Sequence, residues 1–173
     1  MRKWLGMVGL WGGLAVVLVA VNLQILEKQR ALDDGRTVLL ALRPVDPRSL
    51  MQGDYMILRY DQTVVTPQGE PAALDGRIVM TLDGDGVATF RRFDDGTPLA
   101  AEEQPLRYKL RAPSGFSVAT DQVELTIGAE SFFFQEGHGD LYAEARYGIL
   151  KVAPDGSSVL AGLADAERRP IRP

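Results

Sequence analysis

The chain has 173 residues, a formal net charge of −4 and a sequence pI near 5.0. That length holds one ordinary domain, and the acidic balance argues against a nucleic-acid binder, which needs a basic stripe to displace counterions from phosphates. There is no cysteine, which excludes a disulfide scaffold, thiol catalysis and cysteine-based zinc sites together.

The first predicted element is a membrane anchor over 1–27. From Trp4 to Leu26 the chain carries no charge, and as a helix this run is about 34 Å long, enough to cross a hydrocarbon core with some tilt. Arg2 and Lys3 precede it, Glu27, Lys28 and Arg30 follow it, and Trp4 is placed for an interface. A cleaved signal peptide is the competing reading. The apolar run is too long for one, and the exit at Leu18 and Ala20 puts a bulky residue where a small one is wanted.

The two basic residues ahead of the run favour a signal-anchor with its N-terminus in the cytoplasm and the domain on the far side of the membrane. Lys28, Arg30, Arg36 and Arg43 beyond the other end weaken a bare count of bases. Within the helix, Gly6, Gly9, Gly13, Ala20 and Gln24 share one face. A small-residue groove with a hydrogen-bonding group is what close helix pairing in lipid requires. Against this, glycine is common in spanning helices, and Gln24 can simply lie among the headgroups.

A stalk, helical or irregular, is expected over 28–36, ending at Gly35, and a soluble domain over 37–173. TVLLALR places Val38, Leu40 and Leu42 on one face. YMILRY alternates, with Tyr55, Ile57 and Arg59 opposite Met56, Leu58 and Tyr60. RIVMTL and VATFRRF flank Asp83-Gly84-Asp85-Gly86 as a hairpin. The segment Asp94 to Gln104 reads as a long loop, and LRYKLR, QVELTI and SFFFQ as strands. DLYAEARY reads as a short helix with Asp140 as N-cap and Leu141, Tyr142 and Ala145 on one side. GILKVAP and SSVLAGL flank Asp155-Gly156 as a last hairpin. The expected fold is mainly β, a sandwich or partly closed barrel with one short helix near the C-terminus.

Two blocks collect polar and aromatic groups. In PVDPRSLMQGDYMILRY, two prolines keep Val45 and Asp46 out of helix. Asp46, Arg48 and Asp54 can supply charge to a pocket edge, and Tyr55 and Tyr60 flat surface. Equally, Asp46 can pair with Arg48 to fix the loop while the tyrosines pack. The string Gly53, Asp54, Tyr55, Leu58 and Tyr60 matches the GDYXXLXY pattern, and the chain resembles the bacterial family named for it. Gln135, Glu136, Gly137, Tyr142, Ala145, Arg146, Tyr147 and Gly148 are similar to that family's second block. The resemblance implies a functionally uncharacterised protein with an N-terminal membrane segment, often encoded beside multi-spanning membrane proteins; with the N-in orientation it places the anchor in a bacterial inner membrane and the domain in the periplasm.

In the second block, Ser131 to Phe134 is an aromatic strand, and Gln135 to Asp140 is a glycine-flexible polar loop of the kind that carries sites. His138 is the only histidine. It reads either as an exposed loop residue or as a lone proton carrier without an identified substrate. Glu136 and Arg146 are placed to form an ion pair.

DPRSLMQGDYMIL is also similar to the strand entry of bacterial signal peptidases. Aligned on Gly53-Asp54, however, the nucleophile position falls on Val45 and Ser49 falls on a threonine, so the hydroxyl of a serine–lysine mechanism is missing. Nucleotide, dinucleotide, HExxH and EF-hand motifs are absent. The spacing of Asp46, Asp54, Glu136 and Asp140 does not require a divalent cation, and neither a cofactor nor a metal is expected.

The leading expectation is a binding or accessory subunit that docks on a multi-spanning membrane partner through the helix stripe and the outer loops, with the bilayer itself as a second partner. The alternative is an envelope hydrolase or a ligand sensor using a cleft between the two blocks. The balance leans away from an enzyme.

Overall fold

The computed structural model describes 2–43, 51–52, 55–61, 63–65, 75–110 and 122–172, with the backbone alone at 2–9, 27, 51–52, 63–65, 110 and 122–124. Helix α1 (Arg2–Asp34) opens the chain. The strands are β1 (Arg36–Ala41), β2 (Met51–Gln52), β3 (Tyr55–Ile57), β4 (Thr63–Val65), β5 (Asp75–Leu82), β6 (Ala88–Phe93), β7 (Glu103–Leu110), β8 (Gln122–Thr126) and β9 (Ser131–Phe133). After a short helix α2 (Gly139–Tyr142) come β10 (Tyr147–Val152) and β11 (Ser158–Ala164).

Helix α1 runs without a break through the expected stalk, which is therefore helical as far as Asp34. From Leu10 onward it is long and apolar enough to cross a membrane, and its apolar window is not buried inside the protein. Such a helix needs an apolar solvent around it, as a single-pass anchor has. Asn22 fits that setting because its amide donates to the Leu18 carbonyl at 2.8 Å, one turn back. The upper end of α1 packs on β10 and β11, where Ala31 is buried. Gly35 closes the helix by donating its N–H to the Ala31 carbonyl at 3.1 Å.

The strands form three antiparallel sheets, ordered β1-β10-β11, β2-β3-β9 and β4-β8-β7-β5-β6. Bridges from Leu39 to Val87 and from Leu42 to Tyr60 join them at β1. At the other side, the Arg107 N–H donates to the Gly156 carbonyl at 2.8 Å and ties β7 to the β10–β11 turn. The result is a curled half-barrel. Both predicted hairpins form: Gly86 and Gly156 take φ of 80° and 86°, the left-handed conformation that glycine adopts at no steric cost. Asp83 completes the first turn by accepting from the N–H groups of Asp85 and Val87.

Two cores fill the curl. One gathers Val38, Leu40, Ile78, Met80, Leu106 and Leu150 between the sheets. The other gathers Met56, Leu58, Tyr142, Ala145 and Leu163 beneath β3 and β9. Each fully buried aliphatic side chain here contributes roughly 1.5–3 kcal/mol.

Three expectations are corrected. His138, not Asp140, occupies the N-cap of α2, and Asp140 lies inside the helix. Leu141 is 41% exposed while Tyr142 and Ala145 are buried; a helix of only four residues cannot present all three on one face. The loop after Asp94 ends earlier than Gln104, because Glu103 already begins β7. Its buried carboxylate pairs with Arg91 at 3.2 Å and Arg92 at 3.4 Å and accepts from the Ala100 N–H.

Candidate surface of the two family blocks

The two sequence blocks are neighbours in one sheet. Strands β3 and β9 pair with Tyr55 opposite Phe133, Met56 opposite Phe132 and Ile57 opposite Ser131. The pleat sends alternate side chains to opposite faces, so Met56 and Phe132 go to the second core while Tyr55, Ile57 and Phe133 face outward.

On the inner side, Phe132 meets the Tyr142 ring edge-on at 4.9 Å, and Phe134 approaches the same ring at 5.4 Å. This cluster fixes the start of the polar loop over β9. On the outer side, the Tyr55 and Phe133 rings lie 5.6 Å apart. Phe133 is 73% exposed and Ile57 40%.

Tyr60 is structural. Its hydroxyl donates to the Ala129 carbonyl at 2.6 Å, and its ring lies over Gly148, where an added Cβ would come within 2.9 Å of it. Burial, with the Glu130 carboxylate nearby, pushes its pKa above the ordinary tyrosine value. Leu58 is buried, and its N–H donates to the Glu130 carbonyl at 2.7 Å. The motif thus divides its labour: Leu58 and Tyr60 build the core, and Tyr55 contributes to the surface.

In the polar loop, Gln135 and Glu136 are exposed and His138 is half-buried. The His138 N–H donates to the Gln135 carbonyl at 3.1 Å, closing a turn. The expected pair of Glu136 with Arg146 does not form. The Arg146 guanidinium donates instead to the Ala145 carbonyl at 3.2 Å, and its backbone is held on both sides, donating to Ala164 and accepting from Leu42, each at 2.8 Å. Asp46, Arg48 and Asp54 lie outside the described residues, as do Val45, Ser49 and Gly53.

Of the helix stripe, Gly13, Ala20 and Gln24 are exposed, and an added Cβ at Gly13 would meet nothing within 4 Å. Gly6 and Gly9 lie in the part of α1 described by its backbone alone. Among the described residues, no three His, Asp or Glu side chains gather as a metal site.

The model of the family described as GDYXXLXY protein matches residues 17–163. The chain belongs to the GDYXXLXY family. No curated protein and no solved structure matches it. The matched span runs from mid-helix to β11, so in this GDYXXLXY protein it takes in the upper half of the anchor, both blocks and both cores.

Sequence reasoning missed the contact that joins the β10–β11 turn to β7. Asp155 accepts from the Ser157 N–H at 3.0 Å and hydroxyl at 2.8 Å, and pairs with Arg107 at 2.7 Å. The Ser157 amide, then its hydroxyl and the Arg107 charge, hold the Asp155 carboxyl below the usual range against some desolvation. The Asp-Gly signal announced a turn there. Its partner, 48 positions away, left no local trace.

Proposed function

We propose that the chain is an extracytoplasmic binding or accessory subunit, held by a signal-anchor helix with its N-terminus in the cytoplasm and its domain in the periplasm of a bacterial inner membrane. Its partner is a multi-spanning membrane protein with a portion outside the bilayer. The observation that carries this reading is the outward face of β3 and β9, where Tyr55, Ile57 and the 73%-exposed Phe133 stand together on strands supplied by both family blocks. Aromatic side chains on a rigid sheet are the material of protein interfaces, because they bury much area for little lost freedom.

The face is reached through Leu42, beyond the far end of β1 from α1. The helix stripe offers a second contact within the bilayer.

The second reading, an envelope hydrolase or ligand sensor, needs a cleft between the two blocks. Direct pairing of β3 with β9 favours a continuous surface at Tyr55 and Phe133 instead. A test is Phe133→p-benzoylphenylalanine in the native host with illumination. Crosslinking to one multi-spanning membrane protein supports the docking face; adducts only to solvent or lipid contradict it.

A further inference from the structure

Where α1 leaves its apolar run, a groove of about 500 Å³ separates it from the β10–β11 turn. Leu23, Leu26, Arg30 and Asp34 form one wall, and Ala153, Pro154, Asp155 and Ser157 belong to the other. The volume is in the range of a ligand site. Its position is unusual, since one wall is the emerging end of a helix fit to span a bilayer.

The polarity of that wall is graded along the helix axis. Leu23 and Leu26 are the last large apolar residues on this face, Arg30 follows one turn later and Asp34 one turn after that, with the small, buried Ala31 between them. The sequence of groups covers about 16 Å at 1.5 Å per residue. Among the described residues, neither Arg30 nor Asp34 forms an ion pair, whereas Asp155 on the opposite wall is already neutralised by Arg107.

The last turn of α1 holds acids and no base of its own. Lys151 already brings a cation to this carbonyl end, donating to the Gly35 carbonyl at 3.4 Å. Asp34 itself has no ion-pair partner among the described residues, which leaves its carboxylate for a cation from outside the chain. From the bilayer outward, the wall therefore asks for an apolar chain, then an anion, then a cation.

We propose that this groove binds one ethanolamine glycerophospholipid from the surrounding membrane, with its glycerol and upper acyl chain along Leu23 and Leu26, its phosphate on Arg30 and its ammonium on Asp34. The order of the lipid's groups is the order of the side chains. A primary ammonium can donate hydrogen bonds to Asp34, which a choline headgroup cannot, and a glycerol headgroup carries no cation at all. The lipid would fill the gap under the turn and seat the domain on the membrane surface.

The test uses the full chain in nanodiscs of mixed lipid containing a trace of phosphatidylethanolamine with a diazirine near the glycerol end of one acyl chain, or its phosphatidylcholine counterpart. Labelled peptides are mapped by mass spectrometry. The ethanolamine probe is expected to label both 23–34 and 151–159, about fivefold above the choline probe, the order of one net hydrogen bond that the trimethylated headgroup cannot make. Asp34→Asn should bring the ratio to about one, and Arg30→Gln should lower labelling by both probes.

Equal labelling by the two probes, or labelling of the helix without 151–159, overturns the inference. The wild-type comparison decides by itself, so a variant that misfolds leaves the test intact. Label on 10–22 with either probe reports insertion of the helix. Its absence would overturn the membrane reading and the lipid site together.

Discussion

The ring of Tyr60 rests on Gly148, a contact between the last residue of the first family block and the last of the second. Any side chain at Gly148 must push the ring off the Ala129 carbonyl that its hydroxyl reaches at 2.6 Å. Gly148→Ala is therefore expected to destabilise the domain by about 1–3 kcal/mol through overpacking, and Tyr60→Phe by about 1 kcal/mol through the lost hydrogen bond. Urea titrations of both variants measure this. An unchanged midpoint for Gly148→Ala would show that the ring is free to move.

The same tyrosine gives a pH dependence. Its folded pKa is raised, first by burial and then by Glu130, so the fold favours the neutral phenol. That contribution is complete below the unfolded value of about 10 and is lost as pH rises beyond it. Stability should fall above pH 10, and less steeply in Tyr60→Phe. Parallel alkaline curves would assign the loss to other groups, Tyr108 first among them because its pKa is also raised, by burial and then by Asp75.

Gly35 joins anchor to domain without room for a side chain. An added Cβ would collide with the Ala31 carbonyl oxygen and come within 3.1 Å of the Val152 nitrogen. Gly35→Ala should cost about 1–3 kcal/mol and loosen the helix end from β10. Hydrogen exchange at Arg36 and Val152, paired in β1 and β10, should rise more than exchange at Tyr147. Uniform change across the strand would point to a global effect only.

Glu103 organises the loop that precedes β7. With its side chain only 5% exposed and two arginines on it, Glu103→Ala should cost about 1–3 kcal/mol and free the loop. Arg107→Ala at the exposed pair with Asp155 should cost at most about 1 kcal/mol. The reverse ranking would mean that the turn clamp, not the loop anchor, dominates.

Much of this architecture was legible because local chemistry and global fold agree. Asp83 to Gly86 and Asp155-Gly156 are turn residues wherever they occur, and the alternation of Met56 and Leu58 against Tyr55 and Ile57 fixes which side of β3 is buried. What was not legible depends on distant partners. Leu39 is buried along with Val38 and Leu40, so side chains on both faces of β1 are covered. No alternation rule foresees a strand covered on both faces. The polar residues of the second block suggested a pocket, yet Arg146 is spent on backbone at a strand junction. The exposed Phe133 sits in a run of three phenylalanines, and only the register with Tyr55 separates it from its half-buried neighbours.

The small-residue face of α1 gives its own expectation. If it packs on a partner helix, Gly9→Leu with Gly13→Leu should abolish co-purification of the partner while the domain's thermal melting stays unchanged. Retained binding would remove the stripe from the interface and leave the β3–β9 face to carry it.

The central claim is tested most directly by purifying the tagged full-length chain in mild detergent from its native host, beside Phe133→Ser, and identifying what accompanies each by mass spectrometry. The account predicts a stoichiometric multi-spanning membrane protein with the wild type and its loss with the variant. A wild-type chain that emerges folded and without any such protein would contradict it.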